Sequence, residues 1–259
     1  MPYDNILLER RGEGIALLTL NQPEKRNALS TGMQADLMAA IQEIKEDPGL
    51  RVMVVTGAGP VFCAGADLNA MRSKSTLELR DYLSLFPKMA AAMNHMGKPA
   101  IAAVNGLALA GGTGITVTCD LAISSDQARF GVTETNVGLW PMTISATMYR
   151  SLGRKRLLHL LMTGDTMDAW EAERIGLINQ VVPHDKLEEA WMELATKLAR
   201  KSPPSMKIGK DSYYAMEDME WSQSQAYLRE CLVTLLNTED AQEGLNAFLE
   251  KRKPQWKGR

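Results

Sequence analysis

Two short stretches of this sequence consist almost wholly of small residues. One is Cys63-Ala64-Gly65-Ala66, which leads into Asp67-Leu68; the other is Ala110-Gly111-Gly112, ahead of an apolar run. A loop of Ala and Gly that opens a helix leaves main-chain N–H groups without intrahelical acceptors and lets another molecule approach the backbone closely. Two such loops, if they converge, form an oxyanion hole from amides alone. The same residue types also serve tight packing of strands on helices, and spacing alone leaves both readings open. Other chemistries have little foothold. There is no G-x-S-x-G, no G-x-x-x-x-G-K-[ST], no G-x-G-x-x-G and no H-E-x-x-H. The histidines, His95, His159 and His184, are expected to lie apart from one another and from any nucleophile.

The loops need elements to hold them. The run from Ile15 to Leu20 reads as a strand ending at the turn Asn21-Gln22-Pro23. Met33, Leu37, Ala40, Ile41 and Ile44 fall on one helical face, with Ser30 or Thr31 as cap and Asp47-Pro48-Gly49 as stop. Residues 52–56 and 100–104 are continuous apolar runs, as in strands covered on both faces, and residues 121–124 read as another strand. Helical patterns occupy roughly 76–95 and the segment after Gly112. Strands alternating with helices predict an α/β core. Gly57 and Gly106 follow the two apolar runs in the same way, each leading to an Ala/Gly cluster, which reads as a weak internal repeat. From about Asp185 the pattern is all helix, interrupted at Ser202-Pro203-Pro204 and Asn237-Thr238. The chain is thus expected to divide into a core, 1–184, and a helical region, 185–259, packed on the core or on neighbouring subunits.

Composition narrows the class. The 259 residues carry 29 Lys plus Arg against 31 Asp plus Glu, a net charge of −2, with 45% hydrophobic and 23% charged residues. Collagen-like, disordered and disulfide-stapled classes are excluded, and the charge balance supports no dedicated nucleic-acid binder. Three scattered cysteines without C-x-x-C, and no signal-peptide pattern at the N-terminus, lead us to expect a reducing, cytoplasmic setting. The interval from Lys98 to Asp120 holds no charge for 21 residues, long enough to span a membrane. Pro99, Asn105, four glycines and three threonines within it favour a buried strand, loop and helix instead.

Longer motifs point to a family. Lys98 through Gly106, then Ala110-Gly111-Gly112, then Cys119-Asp120-Leu121-Ala122, closely resemble the enoyl-CoA hydratase/isomerase (crotonase) superfamily. So do Asn21-Gln22-Pro23 with Asn27-Ala28-Leu29, Phe62 through Leu68, Phe130-Gly131 with Glu134, Leu161 through Gly164, and Glu243-Gly244 with Lys251-Arg252. The order and spacing hold over almost the whole chain. The resemblance implies a crotonase-like spiral of β-β-α units with a helical C-terminal trimerisation region, assembled as a homotrimer or as a hexamer of paired trimers. It implies an acyl-CoA substrate whose thioester becomes an enolate, with no metal and no redox cofactor; the near-neutral charge and the make-up of the charge-free interval lead us to expect neither nucleic acid nor membrane as partner. The oxyanion amides map onto Ala66 and Gly111. Coenzyme A is expected along Lys25, Arg26 and Ala28, with Ala64, Asp67 and Leu68 near the adenine. Gly112, Trp140, Phe248 and Lys251 complete the expected substrate contacts.

Two departures matter. Hydratases of this family use two glutamates; Glu134 matches one, whereas Gly114 stands at the other position. A lone carboxylate beside an enolate suits proton shuttling that shifts a double bond, so isomerase is placed slightly ahead of hydratase. Hydration by Glu134 with water placed by Thr113 or Thr116 is the alternative, and Glu134 as an ordinary polar helix start capped by Thr133 is the bland one. The run Trp140 to Met148 is bulkier than the small residues many hydratases carry there. The helix over 71–93, with Tyr82, Leu83, Leu85 and Phe86, is a second candidate for acyl contact, although an ordinary amphipathic helix is the favoured reading. Two non-enzymatic readings stay open: a relative that binds acyl-CoA without turnover, and an RNA binder using the basic tail from Lys251 to Arg259.

Overall fold

The computed structural model describes residues 3–259. The chain begins with an antiparallel hairpin of β1 (Ile6–Arg11) and β2 (Ile15–Leu20), turned by Gly12 and Gly14 at positive φ. β1 escapes a hydrophobicity reading because it is an edge strand, half of it charged and only Ile6 fully buried. Then α1 (Thr31–Glu46) follows its predicted face: Met33, Leu37, Ala40, Ile41 and Ile44 are buried, and the Ser30 hydroxyl accepts from the Met33 N–H.

Next come β3 (Val52–Gly57), β4 (Val61–Cys63), α2 (Leu68–Arg72), α3 (Thr76–Asn94), β5 (Ala100–Val104), β6 (Leu107–Leu109), α4 (Gly111–Thr118), β7 (Leu121–Ser125) and β8 (Arg129–Gly131). Each long strand ends at a corner, and a three-residue strand leaves it toward a second sheet. The pairs β3/β4, β5/β6 and β7/β8 are therefore three steps of one spiral. Glycine makes the first two corners possible. A Cβ on Gly57 would lie 2.5 Å from the Phe62 carbonyl oxygen, and one on Gly106 would lie 2.1 Å from that of Pro60. Asn105 ties the two corners, accepting from the Gly57 N–H and donating to the Gly59 carbonyl.

A 3-10 turn over Glu134–Val137 precedes α5 (Met142–Ser151), α6 (Arg154–Thr163), β9 (Thr166–Asp168), α7 (Ala169–Arg174) and β10 (Gln180–Val182). The long strands, with the short β10 at one edge, form a sheet ordered β1-β2-β3-β5-β7-β10, and the other short strands a sheet ordered β4-β6-β8-β9. Pairing is parallel except within β1/β2 and β8/β9. α8 (Leu187–Ala199) lays Leu187, Trp191, Ala195 and Ala199 on Val52, Val54, Ile101 and Ala103. Met53, Val55, Ala102 and Val104 face the opposite way, into the cluster that includes α1 and α3. Cover on both faces explains the unbroken apolar runs.

The last helices are α9 (Pro203–Met216), capped by Ser202, α10 (Trp221–Leu236) and α11 (Glu239–Leu249). They bury little of their own surface. A polar tie joins α9 to the spiral: Asp120 accepts from Lys210 Nζ at 2.7 Å, from the Tyr214 hydroxyl at 2.8 Å and from the Ala100 N–H at 2.6 Å. Among the described residues no helix is long and apolar enough to cross a membrane, and the charge-free interval is β5, β6 and α4.

Gly106→Ala drives a methyl group into the Pro60 carbonyl. It should destabilise the chain by about 1–3 kcal/mol, the usual range for overpacking a close contact, read from urea denaturation midpoints.

Candidate active site

The two small-residue loops meet. Parallel pairing of Leu29 with Ala66 holds the first loop, and the Leu29 N–H donates to the Gly65 carbonyl at 2.8 Å. Gly65, at φ +92°, lies against the second loop: a Cβ there would sit 2.7 Å from the Ala110 Cβ and 3.1 Å from the Gly111 nitrogen. Ala110 itself takes φ +50° and ψ −117°, a strained backbone for a residue with a Cβ, costing about 1–3 kcal/mol. That torsion turns the chain from β6 into α4, whose first residue is Gly111. The amides of Ala66 and Gly111 donate to no group among the described residues. Both residues line one cavity of about 280 Å³. Two unsatisfied, immobile amides facing a cavity are the arrangement that stabilises charge on a carbonyl oxygen. Gly112 plays a different part, since its missing Cβ admits the Cys63 carbonyl (2.1 Å from the position a Cβ would take).

Glu134 opens the 3-10 turn after β8 and lines the same cavity. Its Oε2 is buried with no hydrogen-bond partner among the described residues. Burial raises its carboxyl above the ordinary value of 4.5, opposed only by a backbone hydrogen bond. Thr133 makes no capping bond, so the helix-start reading loses its mechanism. Thr113 and Thr116 do not face the cavity either. Thr113 Oγ1 reaches the Ala108 and Gly131 carbonyls, Thr116 Oγ1 donates to the Gly112 carbonyl, and both side chains are buried. The hydroxyl-bearing residues in the lining are Thr133, Thr143 and Tyr82.

The wall beside Gly114 is filled. A Cβ on Gly114 would meet Ile144 Cγ2 at 2.6 Å and Phe86 Cζ at 2.7 Å. The space where hydratases of the family carry a second carboxylate is here apolar side chain. Met71, Tyr82, Leu83 and Phe86 line the cavity, which corrects the reading of 71–93 as an ordinary amphipathic helix; Leu85 is absent from the lining. Trp140, Pro141, Met142 and Thr143 form the opposite rim, while Ile144 and Met148 turn into the core. Gln34 also lines the cavity and was not singled out by the sequence, which named Tyr82 only as a possible acyl contact and not for its hydroxyl. The one available signal was a hydroxyl on the otherwise apolar face of α3.

The remaining expected contacts divide. Ala64 and Leu68 line the cavity, and Asp67 caps α2 by accepting from the Ala70 N–H. Lys25 and Arg26 are exposed on a turn beside it, where the Arg26 carbonyl accepts from the Ala64 N–H at 3.0 Å, and Ala28 follows in the same turn. Phe248, 82% exposed, and Lys251 lie on and after α11 and are not part of the lining. One pairing runs against expectation: His184 Nδ1 lies 2.9 Å from Ser125 Oγ. Ser125 is wholly buried outside the cavity and accepts from the Gln127 N–H, so the pair is a structural tie. In the basic tail, Arg252 pairs with Glu243 and Glu250, and Lys257 and Arg259 with Glu239, which leaves little free charge for RNA.

Comparison with known proteins shows the family. The family model described as enoyl-CoA hydratase/isomerase matches residues 10–259. The Escherichia coli 2,3-dehydroadipyl-CoA hydratase is 34% identical over 98% of this chain and 99% of its own. Human enoyl-CoA hydratase domain-containing protein 3, mitochondrial, is 36% identical over 95% of this chain and 82% of its own. The crystal structure of a Mycobacterium smegmatis enoyl-CoA hydratase superposes with a TM-score of 0.94 at 33% identity, covering 97% of this chain and 98% of that one. The chain belongs to the enoyl-CoA hydratase/isomerase family and has the crotonase fold.

Two outcomes test the site. Gly65→Ala wedges the loops apart and should cost a factor of about 10² to 10³ in kcat on any thioester substrate, the range for losing an oxyanion donor. Glu134→Gln should stabilise the protein. The folded state binds the Glu134 proton more tightly than the unfolded state, so stability falls as pH rises from the unfolded value to the raised folded one. The variant should therefore melt above wild type at about pH 7 and show no such gain at about pH 4.

Proposed function

We propose that this enzyme shifts the double bond of an enoyl-CoA thioester. The observation that carries the reading is that, among the described residues, Glu134 is the only carboxylate in the lining of the cavity that holds the two free amides, with Phe86 and Ile144 packed where a second would stand. The thioester oxygen sits on the Ala66 and Gly111 amides. The Glu134 carboxylate takes a proton from the carbon beside the carbonyl of a 3-enoyl chain, and the electron pair moves into the dienolate held by the amides. The protonated Glu134 then delivers that proton to the far end of the dienolate, which gives the 2-enoyl chain and restores the carboxylate. A raised carboxyl value suits both halves, because it brings the acid and base forms closer in energy.

The relatives' names favour the second reading, hydration with Glu134 as both base and acid. Thr133 and Thr143 could position a water for it, although hydroxyls are poor bases near neutrality. Among the described residues no Lys, Arg or His lines the cavity, which supports an uncharged acyl group. Lys25 and Arg26, beside Ala64, fit the phosphates of coenzyme A. Exposed Trp221, Phe248 and Leu249 on the last helices fit burial in a homotrimer or hexamer. Substrate chemistry of this kind calls for no metal or redox cofactor, and free, buried Cys63 and Cys119 suit a reducing cytoplasm.

Product analysis on paired 2-enoyl and 3-enoyl thioesters should show the moved double bond forming faster than hydroxyacyl-CoA. The reverse order overturns the isomerase reading. An acyl chain ending in a carboxylate should be the poorer substrate. Glu134→Gln should lose about 10²- to 10⁴-fold in rate, together with any exchange of the α-proton in heavy water. Wild type that exchanges nothing on a panel of acyl-CoAs would be a binder without turnover.

A further inference from the structure

We infer that Tyr82 is a positioning residue for the oxyanion hole, its hydroxyl inserted as a rung between the strand of Leu29 and the loop of Ala66. The inference rests on the acyl-CoA reading above for its catalytic consequence, though not for the brace itself.

Parallel pairing of Leu29 with Ala66 calls for two rungs. The first is direct, from the Leu29 N–H to the Gly65 carbonyl at 2.8 Å. The second runs through a side chain. The Asp67 N–H donates to the Tyr82 hydroxyl at 3.1 Å, and that hydroxyl donates to the Leu29 carbonyl at 2.7 Å. Ala66 therefore hangs between a backbone rung on one side and a tyrosine rung on the other, with its own N–H left over for the cavity. Gln34 Nε2 donates to the same Leu29 carbonyl at 3.1 Å, so the anchor of the rung is fixed from α1 as well.

Tyr82 is suited to this. It is 4% exposed, and its hydroxyl is engaged on both sides by backbone groups of the two segments. Burial raises the pKa of its hydroxyl above the ordinary 10, which keeps the proton that the Leu29 bond needs. One helical turn on, Phe86 packs over Gly114 in the helix that Gly111 begins. α3 thus holds both donor-bearing segments, Ala66 by hydrogen bonding and α4 by packing. Small displacements matter here, because an amide aimed off the developing charge loses most of its effect.

Tyr82→Phe keeps the ring and removes only the rung. Ser84→Ala, on the same helix and outside the cavity lining, is the matched control and should behave as wild type. Three readouts decide the case. Hydrogen exchange of the segment over 62–70 should quicken at least about tenfold in Tyr82→Phe. With a conjugated aromatic enoyl-CoA, wild type should shift the bound chromophore to the red as the amides polarise the carbonyl, and Tyr82→Phe should lose most of that shift. Finally, kcat should fall about tenfold or more while KM moves less than about twofold. Unchanged exchange overturns the brace, even if kcat falls. Faster exchange with wild-type kcat and an intact red shift overturns its link to the oxyanion hole. A wild type that neither shifts nor converts any thioester defeats the acyl-CoA reading instead, and the exchange comparison still decides the brace.

Discussion

Two loops of small residues touch here. Gly65 lies against Ala110 and Gly111 so closely that a single methyl group would collide, and the amides of Ala66 and Gly111 come to face one cavity as a result. Much of the surrounding architecture serves that contact. The corners at Gly57 and Gly106 send short strands into the second sheet, where β4 and β6 pair and bring their loops side by side. The strained torsion at Ala110 is tolerated because its N–H is anchored to the Gly131 carbonyl at 2.8 Å and because α4 is packed from both sides.

Leaving polar groups unpaired at a largely apolar cavity costs stability, and this site holds three: two amides and the Glu134 carboxyl. Each is retained where a ligand would satisfy it. The desolvation that raises the Glu134 carboxyl also strengthens its interaction with a developing charge. The site is mostly apolar otherwise, so on the proposed reading a bound carbonyl would have the two amides as its nearest polar neighbours.

The helical region is fastened by other means. Asp120 lies at the junction of α4 and β7 and gathers Lys210, Tyr214 and the Ala100 amide. Lys210 is nearly buried, and its charge is tolerable because Asp120 and the Lys98 carbonyl receive its ammonium protons. A tie of this kind contributes orientation more than net stability, and it registers α9 against the strand that feeds the Gly111 loop.

Local chemistry alone made several features legible. The apolar runs of β3 and β5, the face of α1 with its Ser30 cap, and the glycines that close the corners follow from periodicity and from what a residue without Cβ permits. The small-residue loops and Glu134 could be named as chemistry for the same reason, since backbone access and a carboxylate are properties of residue type. Three-residue strands and the charged edge strand β1 were not legible, because their stability comes from partners distant in the chain. Nor was the Tyr82 rung, the apolar filling beside Gly114, or the choice of Thr133 and Thr143 over Thr113 and Thr116 at the cavity. Each depends on which side chains from separate elements reach the same few ångströms, and residue type and spacing do not encode that distance.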